Sequence, residues 1–88
     1  MRDRYLEVTY RKGKPLAGYL HLPRTSGLKA VRTERIGDGL LVDYGEGDIP
    51  VGLEITSPST TSVEQVDQAL RSLGLEGVFE DELAPLAA

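Results

Sequence analysis

The chain has no cysteine and no tryptophan, and its aromatic residues are four tyrosines and one phenylalanine among 88 residues. Without cysteine there is no disulfide, no thiolate nucleophile and no cysteine-based metal site, so non-covalent packing must hold the fold. With so few aromatic residues, that packing must be aliphatic. A chain of this size forms a modest core, which a second chain often has to supplement. These absences favour a reducing, cytoplasmic location and a homodimer or heterocomplex.

Long apolar runs are missing as well. No stretch approaches the roughly 18 consecutive apolar residues of a membrane span. The first five residues, Met1-Arg2-Asp3-Arg4-Tyr5, have none of the apolar character of a secretory signal. We therefore expect a cytoplasmic chain with no membrane association.

Patterns typical of catalysis and cofactor binding are also absent. The glycines never adopt the spacing of a dinucleotide or phosphate loop. His21 is the only histidine, and its place between Leu20 and Leu22 predicts a structural side chain on the opposite face of a strand. Four acidic residues lie close together in the chain, but glycines occupy two of the positions that a calcium loop needs: Asp43, Glu46, Asp48 and Glu54. The sequence predicts a protein that is not an enzyme and has no metal and no cofactor.

The net charge of −4 is unevenly distributed. Residues 1–14 carry five basic and two acidic side chains, whereas residues 62–88 carry one basic and six acidic side chains. An acidic C-terminal end favours a basic protein partner over nucleic acid. The two oppositely charged ends could also attract each other, but we expect each of them to be solvated separately. Nucleic acid stays an alternative because basic residues and tyrosines are interleaved near the N-terminus: Arg2, Arg4, Tyr5, Tyr10, Arg11, Lys12 and Lys14.

Apolar and polar residues alternate through the first two thirds of the chain, between turns rich in glycine, aspartate, lysine and proline. This pattern is typical of antiparallel strands with one buried and one wet face. The predicted strands cover residues 4–10, 16–22, 28–36, 40–44 and 51–56, and the pattern of residues 28–36 does not indicate which face of that strand is buried. We expect a β-sheet region over residues 1–58, arranged as a meander of about five strands.

A helix is predicted over residues 61–74. Thr61 and Glu64 have the spacing of a capping box, and Gly74 with Leu75 supplies a Schellman-type end. An apolar stripe recurs between them at helical spacing: Val63, Val66, Leu70 and Leu73. This stripe must be buried against the apolar face of the sheet. The predicted fold is one α+β domain, residues 1–88, in which an antiparallel β-meander of about five strands carries one C-terminal helix on one face, in two layers.

Residues 75–88 form an acidic amphipathic tail. Gly77 and Pro85 limit any helix there to two turns. Five apolar residues make its stripe: Leu75, Val78, Phe79, Leu83 and Leu86. In one alternative the stripe folds back on the sheet of its own subunit or of a symmetry mate. In the other, on which the predicted function is based, these five residues dock in a hydrophobic groove with a basic rim on a partner protein.

The predicted hairpin of residues 40–56 resembles part of a known protein family. Leu41-Val42-Asp43-Tyr44 followed by Val51-Gly52-Leu53-Glu54-Ile55 resembles the core of the domain of unknown function 2283 family, which contains small prokaryotic proteins. Tyr19-Leu20-His21-Leu22 is similar to an earlier strand of that family. The chain departs from the family at Arg11 and Lys12, where acidic residues are usual.

This resemblance implies a small β-rich fold in which four motif residues have structural roles: Asp43, Tyr44, Gly52 and Glu54. Some members of the family lie beside small basic toxin-like ribonucleases, which implies an antitoxin role by analogy. The predicted function is therefore a non-enzymatic protein-binding domain, the antitoxin-like partner of a small basic toxin. A nucleic-acid-binding or small-ligand-binding module is the alternative.

Overall fold

The computed structural model describes residues 4–23, 29–79 and 81–87. Its strands are β1 (Tyr5–Arg11), β2 (Lys14–His21), β3 (Ala30–Gly37), β4 (Leu40–Gly45) and β5 (Ile49–Ile55). Helix α1 (Val63–Ser72) and a short 3₁₀ helix (Ala84–Ala87) follow. The predicted α+β class, with an antiparallel five-stranded sheet and one C-terminal α-helix in the described residues, is confirmed. Leu28, the predicted start of the third strand, lies outside the described residues.

The strands form one antiparallel sheet in the order β1-β2-β5-β4-β3. β3, β4 and β5 follow one another as a meander, and β5 then pairs with β2, so that the β1-β2 hairpin joins the meander along β2. The β2–β5 pairing sets Leu20 opposite Leu53, and both side chains are fully buried. β5 is therefore the central strand, and β1 and β3 are the edges.

One face of the sheet is covered by helix α1 and the tail. Alternate residues of β2, β4 and β5 point to this face and meet the buried side of the helix. The buried cluster contains Leu20, Leu22, Leu40, Val42, Leu53, Ile55, Val66, Ala69, Leu70 and Leu83. Each fully buried leucine or isoleucine contributes about 1.5–3 kcal/mol to the free energy of unfolding. The core is aliphatic, and the opposite face of the sheet is left uncovered by the described residues.

Helix α1 has its capping box one residue later than predicted. The Ser62 hydroxyl accepts the backbone N–H of Gln65 at 3.1 Å, and the Gln65 side chain accepts the backbone N–H of Ser62 at 2.7 Å. The prediction of a box from Thr61 and Glu64 is wrong because the Thr61 hydroxyl is already engaged. It donates to the carbonyl oxygen of Ser57 at 2.9 Å, and Ser62 becomes the cap.

The predicted Schellman end of the helix is confirmed. Gly74 has a φ of +78°, a conformation that favours glycine. The Gly74 N–H donates to the carbonyl oxygen of Arg71, and the Leu75 N–H donates to that of Leu70, both at 3.0 Å. The chain then turns back from the helix, and the tail runs over the same face of the sheet.

Candidate functional site

The tail packs on the core of its own chain. Leu83 is only 8% exposed and belongs to the buried cluster, against which Leu75, Val78 and Leu86 also pack. Phe79, the fifth residue of the predicted stripe, lies with its ring centroid 4.3 Å from the guanidinium carbon of Arg4. This is the first of the two arrangements expected for the tail. Docking of the stripe in a partner's groove stays a prediction, and from this conformation it requires the stripe to leave its own core.

Arg4 fastens the tail to the start of the sheet and is 6% exposed. Its Nε and Nη2 donate to the two carboxylate oxygens of Glu82 at 2.6 and 2.9 Å. Its Nη1 donates to the carbonyl oxygen of Glu76 at 2.6 Å, and Nη2 also donates to that of Gly77. We call this arrangement of Arg4, Glu76, Gly77, Phe79 and Glu82 the arginine clasp.

The arginine clasp overturns one expectation from the sequence. The two charged ends were expected to be solvated separately, but Arg4 and Glu82 form an ion pair whose side chains are only 3% and 5% exposed. The tail's apolar stripe carries Glu82 to the beginning of β1 as it packs on the core. The charged ends are therefore joined through a buried contact, because apolar packing places them there.

A groove of about 550 Å³ lies between helix α1 and the tail. Its apolar walls are formed by Val63, Val78, Phe79, Leu83 and Ala84, and its polar side chains are Glu64, Asp67, Gln68 and Asp81. Val63 was predicted to belong to the buried helical stripe. It is instead 52% exposed at the first turn of the helix, where it forms part of the groove wall. We call this feature the helix–tail groove.

Asp67 holds the tail against the helix at this groove. Its Oδ2 accepts from Nε of Arg71 at 2.9 Å, and its Oδ1 accepts the backbone N–H of Val78 at 2.8 Å. The Arg71 hydrogen bond, followed by the Val78 bond, holds the pKa of Asp67 below its ordinary value of 3.8. Asp67 is therefore a carboxylate at neutral pH. Among the described residues that line the groove, none is basic.

On the uncovered face, one row of directly opposed residues crosses all five strands: Tyr5, His21, Gly52, Asp43 and Thr33. The ring of Tyr19, which belongs to the next row, leans over Gly52. A Cβ at residue 52 would overlap this ring and its hydroxyl. The Tyr19 hydroxyl donates to Oδ2 of Asp43 at 2.8 Å, and the Thr33 hydroxyl donates to Oδ1 at 2.5 Å. Because residue 52 has no side chain, the Tyr19 ring of β2 can cross β5 to reach Asp43 of β4, which is also bonded to Thr33 of β3.

His21 lies on this face, opposite to Leu20 and Leu22, as predicted. Its ring stacks on Tyr5 with centroids 4.3 Å apart and an interplanar angle of 14°. Its Nε2 lies 2.9 Å from Oε1 of Glu7. The histidine is thus engaged in cross-strand contacts of the kind that stabilise a sheet.

The remaining motif residues and the acidic residues of the hairpin do not converge. Tyr44 lies 4.2 Å below the guanidinium of Arg32, and Glu54 is half-buried on β5. Asp48 pairs with Arg32 at 2.7 Å, and Glu46 is exposed in the β4–β5 turn. The described residues contain no cluster of three or more His, Asp and Glu side chains that could hold a metal ion.

The described residues on which the nucleic-acid alternative depended are separated in the structure. Arg4 is buried in the arginine clasp, and Arg2 lies outside the described residues. The β1–β2 hairpin end carries the remaining basic residues of that set, all exposed: Arg11, Lys12 and Lys14. Tyr5 lies on the uncovered face, 61% exposed, and Tyr10 is 51% exposed. The members of the set that the structure describes do not form one continuous basic surface.

Sequence reasoning found the tail stripe but missed the clasp and the groove. The opposite charges of the two ends allowed for attraction between them, but nothing in the sequence indicated which residues would pair. Comparisons of the chain with protein-family models, with curated proteins and with solved structures found no match. The resemblance to the domain of unknown function 2283 family therefore stays a prediction. In the described part of the chain, no helix combines the length and the apolar character that spanning a membrane requires.

Proposed function

We propose that this protein is a non-enzymatic protein-binding domain that holds a basic segment of a partner protein in the helix–tail groove. The observation that supports this most strongly is the chemistry of the groove: five apolar side chains line it, three carboxylates flank it, and no basic side chain is among its described lining residues. Burial of apolar atoms supplies affinity. Glu64 and Asp81 select and steer a cationic partner, since Asp67 is already paired with Arg71. The fitting occupant is an apolar anchor residue flanked by lysine or arginine.

The antitoxin-like role implied by the family resemblance agrees with this proposal, because its partner is a small basic protein. In the proposed complex Val78, Phe79 and Leu83 act as walls of the groove rather than as side chains inserted into the partner. Homodimer formation and a cytoplasmic location stay predictions that the proposal does not require.

Co-expression with a small basic protein encoded by the neighbouring gene tests the function, and two matched variants test the surface. Val63→Gln removes an apolar wall of the groove at a residue that is 52% exposed, and should weaken the complex at least about tenfold in Kd. Val31→Gln makes the same change at a residue that is 66% exposed on β3 and should leave Kd unchanged. Equal affinities for the two variants would contradict the groove, and the absence of any complex would contradict the function.

The rim can be tested separately by charge reversal. Asp81→Lys places a cation at the groove and should weaken binding of a basic partner, most strongly at low salt where charges are least screened. Asp48→Lys makes the same reversal in the exposed β4–β5 turn, at a residue whose φ of +61° is close to the +68° of Asp81, and serves as the control. A loss of affinity that is equal for both variants would show that net charge, and not this groove, attracts the partner.

A second candidate function is favoured by Tyr5. Its ring is 61% exposed and stacked on His21, and such a surface can stack on the base of a single-stranded nucleic acid. Glu7 and Glu54 on the same face disfavour phosphate groups. A gel shift with single-stranded oligonucleotides at low and physiological salt tests this function, and Tyr5→Ala should abolish any shift that depends on stacking.

A further inference from the structure

The tail forms a complete receptor for a guanidinium group. Every polar contact described for the Arg4 side chain is made by residues 76–82: both oxygens of Glu82 and the carbonyl oxygens of Glu76 and Gly77. The Phe79 ring covers one face of the guanidinium plane at 4.3 Å. Paired acceptor oxygens beside an aromatic ring match the planar guanidinium of arginine, whereas a lysine ammonium cannot form the same paired bonds.

Arg4 occupies this receptor from a position outside the hydrogen-bonded sheet. β1 begins at Tyr5, whose partner across the strands is His21, so Arg4 precedes the ladder. Its side chain can therefore leave without breaking any strand pairing. Glu82 is only 5% exposed, and a carboxylate buried to this degree needs a cation beside it. Departure of Arg4 is thus favourable only if another cation takes its place.

The receptor and the helix–tail groove share a wall. Phe79 lines the groove and also lies against the Arg4 guanidinium. Asp81, next to Glu82 in the chain, lies at the groove as well. A basic segment seated in the groove therefore brings its own arginine side chains close to the receptor.

We propose that the arginine clasp is an arginine-binding site, filled by Arg4 in the free protein and by an arginine of the bound partner in the complex. This inference rests on the proposed function, since the groove is what brings the partner's arginine into reach. Arg4 acts as an internal competitor. The apparent affinity for the partner is then reduced by the fraction of molecules in which Arg4 holds the site, and removal of Arg4 should raise that affinity.

The first experiment asks whether the site accepts a guanidinium group in trans. Arg4→Ala and Arg4→Lys proteins are melted with millimolar ethylguanidinium, or with ethylammonium at the same ionic strength. Ethylguanidinium should raise the melting temperature of the variants more than ethylammonium does, and neither ion should raise that of the wild type. Arg4→Lys keeps a tethered ammonium beside Glu82, so it should be stabilised less than Arg4→Ala. If Arg4→Ala does not fold alone, recovery of its folded circular dichroism by ethylguanidinium and not by ethylammonium decides the question. No difference between the two ions in the folded variants would overturn the proposal.

Arg32→Ala is the matched control for this rescue. Arg32 also lies over an aromatic ring, that of Tyr44, and pairs with Asp48, but its side chain is 41% exposed. Its removal leaves a surface position that water fills. Ethylguanidinium should stabilise Arg32→Ala no more than ethylammonium does, and an equal rescue of this variant would show that the ion acts on the whole protein and would overturn the proposal.

The second experiment asks whether Arg4 competes with a partner. Two short amphipathic peptides with the same apolar residues are compared, one with arginine and one with lysine at every basic position. The Arg4→Ala or Arg4→Lys protein should bind the arginine peptide about tenfold more tightly than the wild type does, and bind the lysine peptide with unchanged Kd.

The outcomes separate this inference from the proposed function. If both peptides bind but loss of Arg4 does not lower the Kd of the arginine peptide, the proposed replacement of Arg4 by a partner arginine is wrong. The proposal that the helix–tail groove binds a basic segment is then still supported. If neither peptide binds any form of the protein, the groove function fails and the exchange fails with it, even where ethylguanidinium rescues the variants.

Discussion

The two faces of the sheet are stabilised in different ways. On the covered face, aliphatic side chains of the strands, helix α1 and the tail form one cluster, and the Arg4–Glu82 pair beside it is buried. On the uncovered face, side chains are held by solvent-exposed hydrogen bonds and ring contacts. In the His21–Glu7 pair the His21 side chain is 20% exposed and the Glu7 side chain 68%. Breaking a buried pair costs about 3–5 kcal/mol, whereas an exposed pair contributes about 0–1 kcal/mol.

This difference shows that the tail is a structural part of the covered face. Leu83 contributes to the core, and Glu82 neutralises a guanidinium that would otherwise be buried alone. A partner that binds in the helix–tail groove therefore contacts a surface whose integrity depends on the core. The uncovered face has no such dependence, and changes there should leave the groove intact.

The largest effect is expected from truncation after Gly74. The shortened chain loses the apolar contacts of the tail, including the buried Leu83, and exposes the core side chains beneath them, at a cost of about 5 kcal/mol in the free energy of unfolding. Small domains often have little more than this in total, so the truncated protein should be largely unfolded at 25 °C. Urea unfolding and thermal melting followed by circular dichroism measure the change.

Glu7→Ala is the matched change on the uncovered face, because it removes one partner of an exposed pair. It should alter the free energy of unfolding by no more than about 1 kcal/mol. If the truncated protein melted as close to the wild type as Glu7→Ala does, the tail would not belong to the core. The prediction that the tail stripe docks on a partner would then regain its support.

The alternation of the sequence predicted the strands because side chains of a strand change faces at every residue, and this period can be read locally. The pairing of β2 with β5 could not be read in this way. It depends on burying Leu20 against Leu53, two residues far apart in the chain that have nothing in their spacing to indicate contact. Helix α1 was predictable from its stripe, whereas its first residue depended on which of two neighbouring hydroxyls was already bonded to Ser57.

The candidate site was less predictable than the fold. The apolar stripe of the tail was visible in the sequence, but whether it packs on its own core or on a partner is decided by tertiary contacts. Arg4 resembles any exposed basic residue near an N-terminus until the tail brings Glu82 and Phe79 to it. The link between Tyr19 and Asp43 likewise needs the register that places Gly52 between them.

A smaller effect is expected from Gly52→Ala, which tests the uncovered face. The new methyl group would occupy the place of the Tyr19 ring and displace it from Asp43. Overpacking of this kind costs about 1–3 kcal/mol in the free energy of unfolding. Urea unfolding measures the loss, and binding of a basic partner at the helix–tail groove should be unchanged.

A double-mutant cycle identifies the cause of that loss. In a Tyr19→Ala background the space over residue 52 is vacant. Gly52→Ala should then leave the free energy of unfolding unchanged, or raise it by about 0.5–1 kcal/mol because alanine lowers the conformational entropy of the unfolded chain. An equal cost of Gly52→Ala in both backgrounds would show that the backbone, and not the Tyr19 ring, requires glycine at this position.

The smallest effect is expected from acid, through Asp67 on the covered face. The Arg71 side chain and the Val78 backbone N–H hold the pKa of Asp67 below 3.8 in the folded protein. A group whose pKa is lowered by folding binds fewer protons in the folded state, so its contribution to stability is complete above the unfolded value and declines as pH falls through the folded one. Asp67→Asn should therefore flatten the fall in melting temperature below about pH 4, and because the carboxylate is partly exposed the change should be small.

Asp38→Asn, a change in an exposed pair with Arg35, is the control. A pH profile of Asp67→Asn that overlays that of the wild type below pH 4 would show that the Val78 contact does not depend on the charge of Asp67, and that apolar packing and the arginine clasp are enough to hold the tail at the groove.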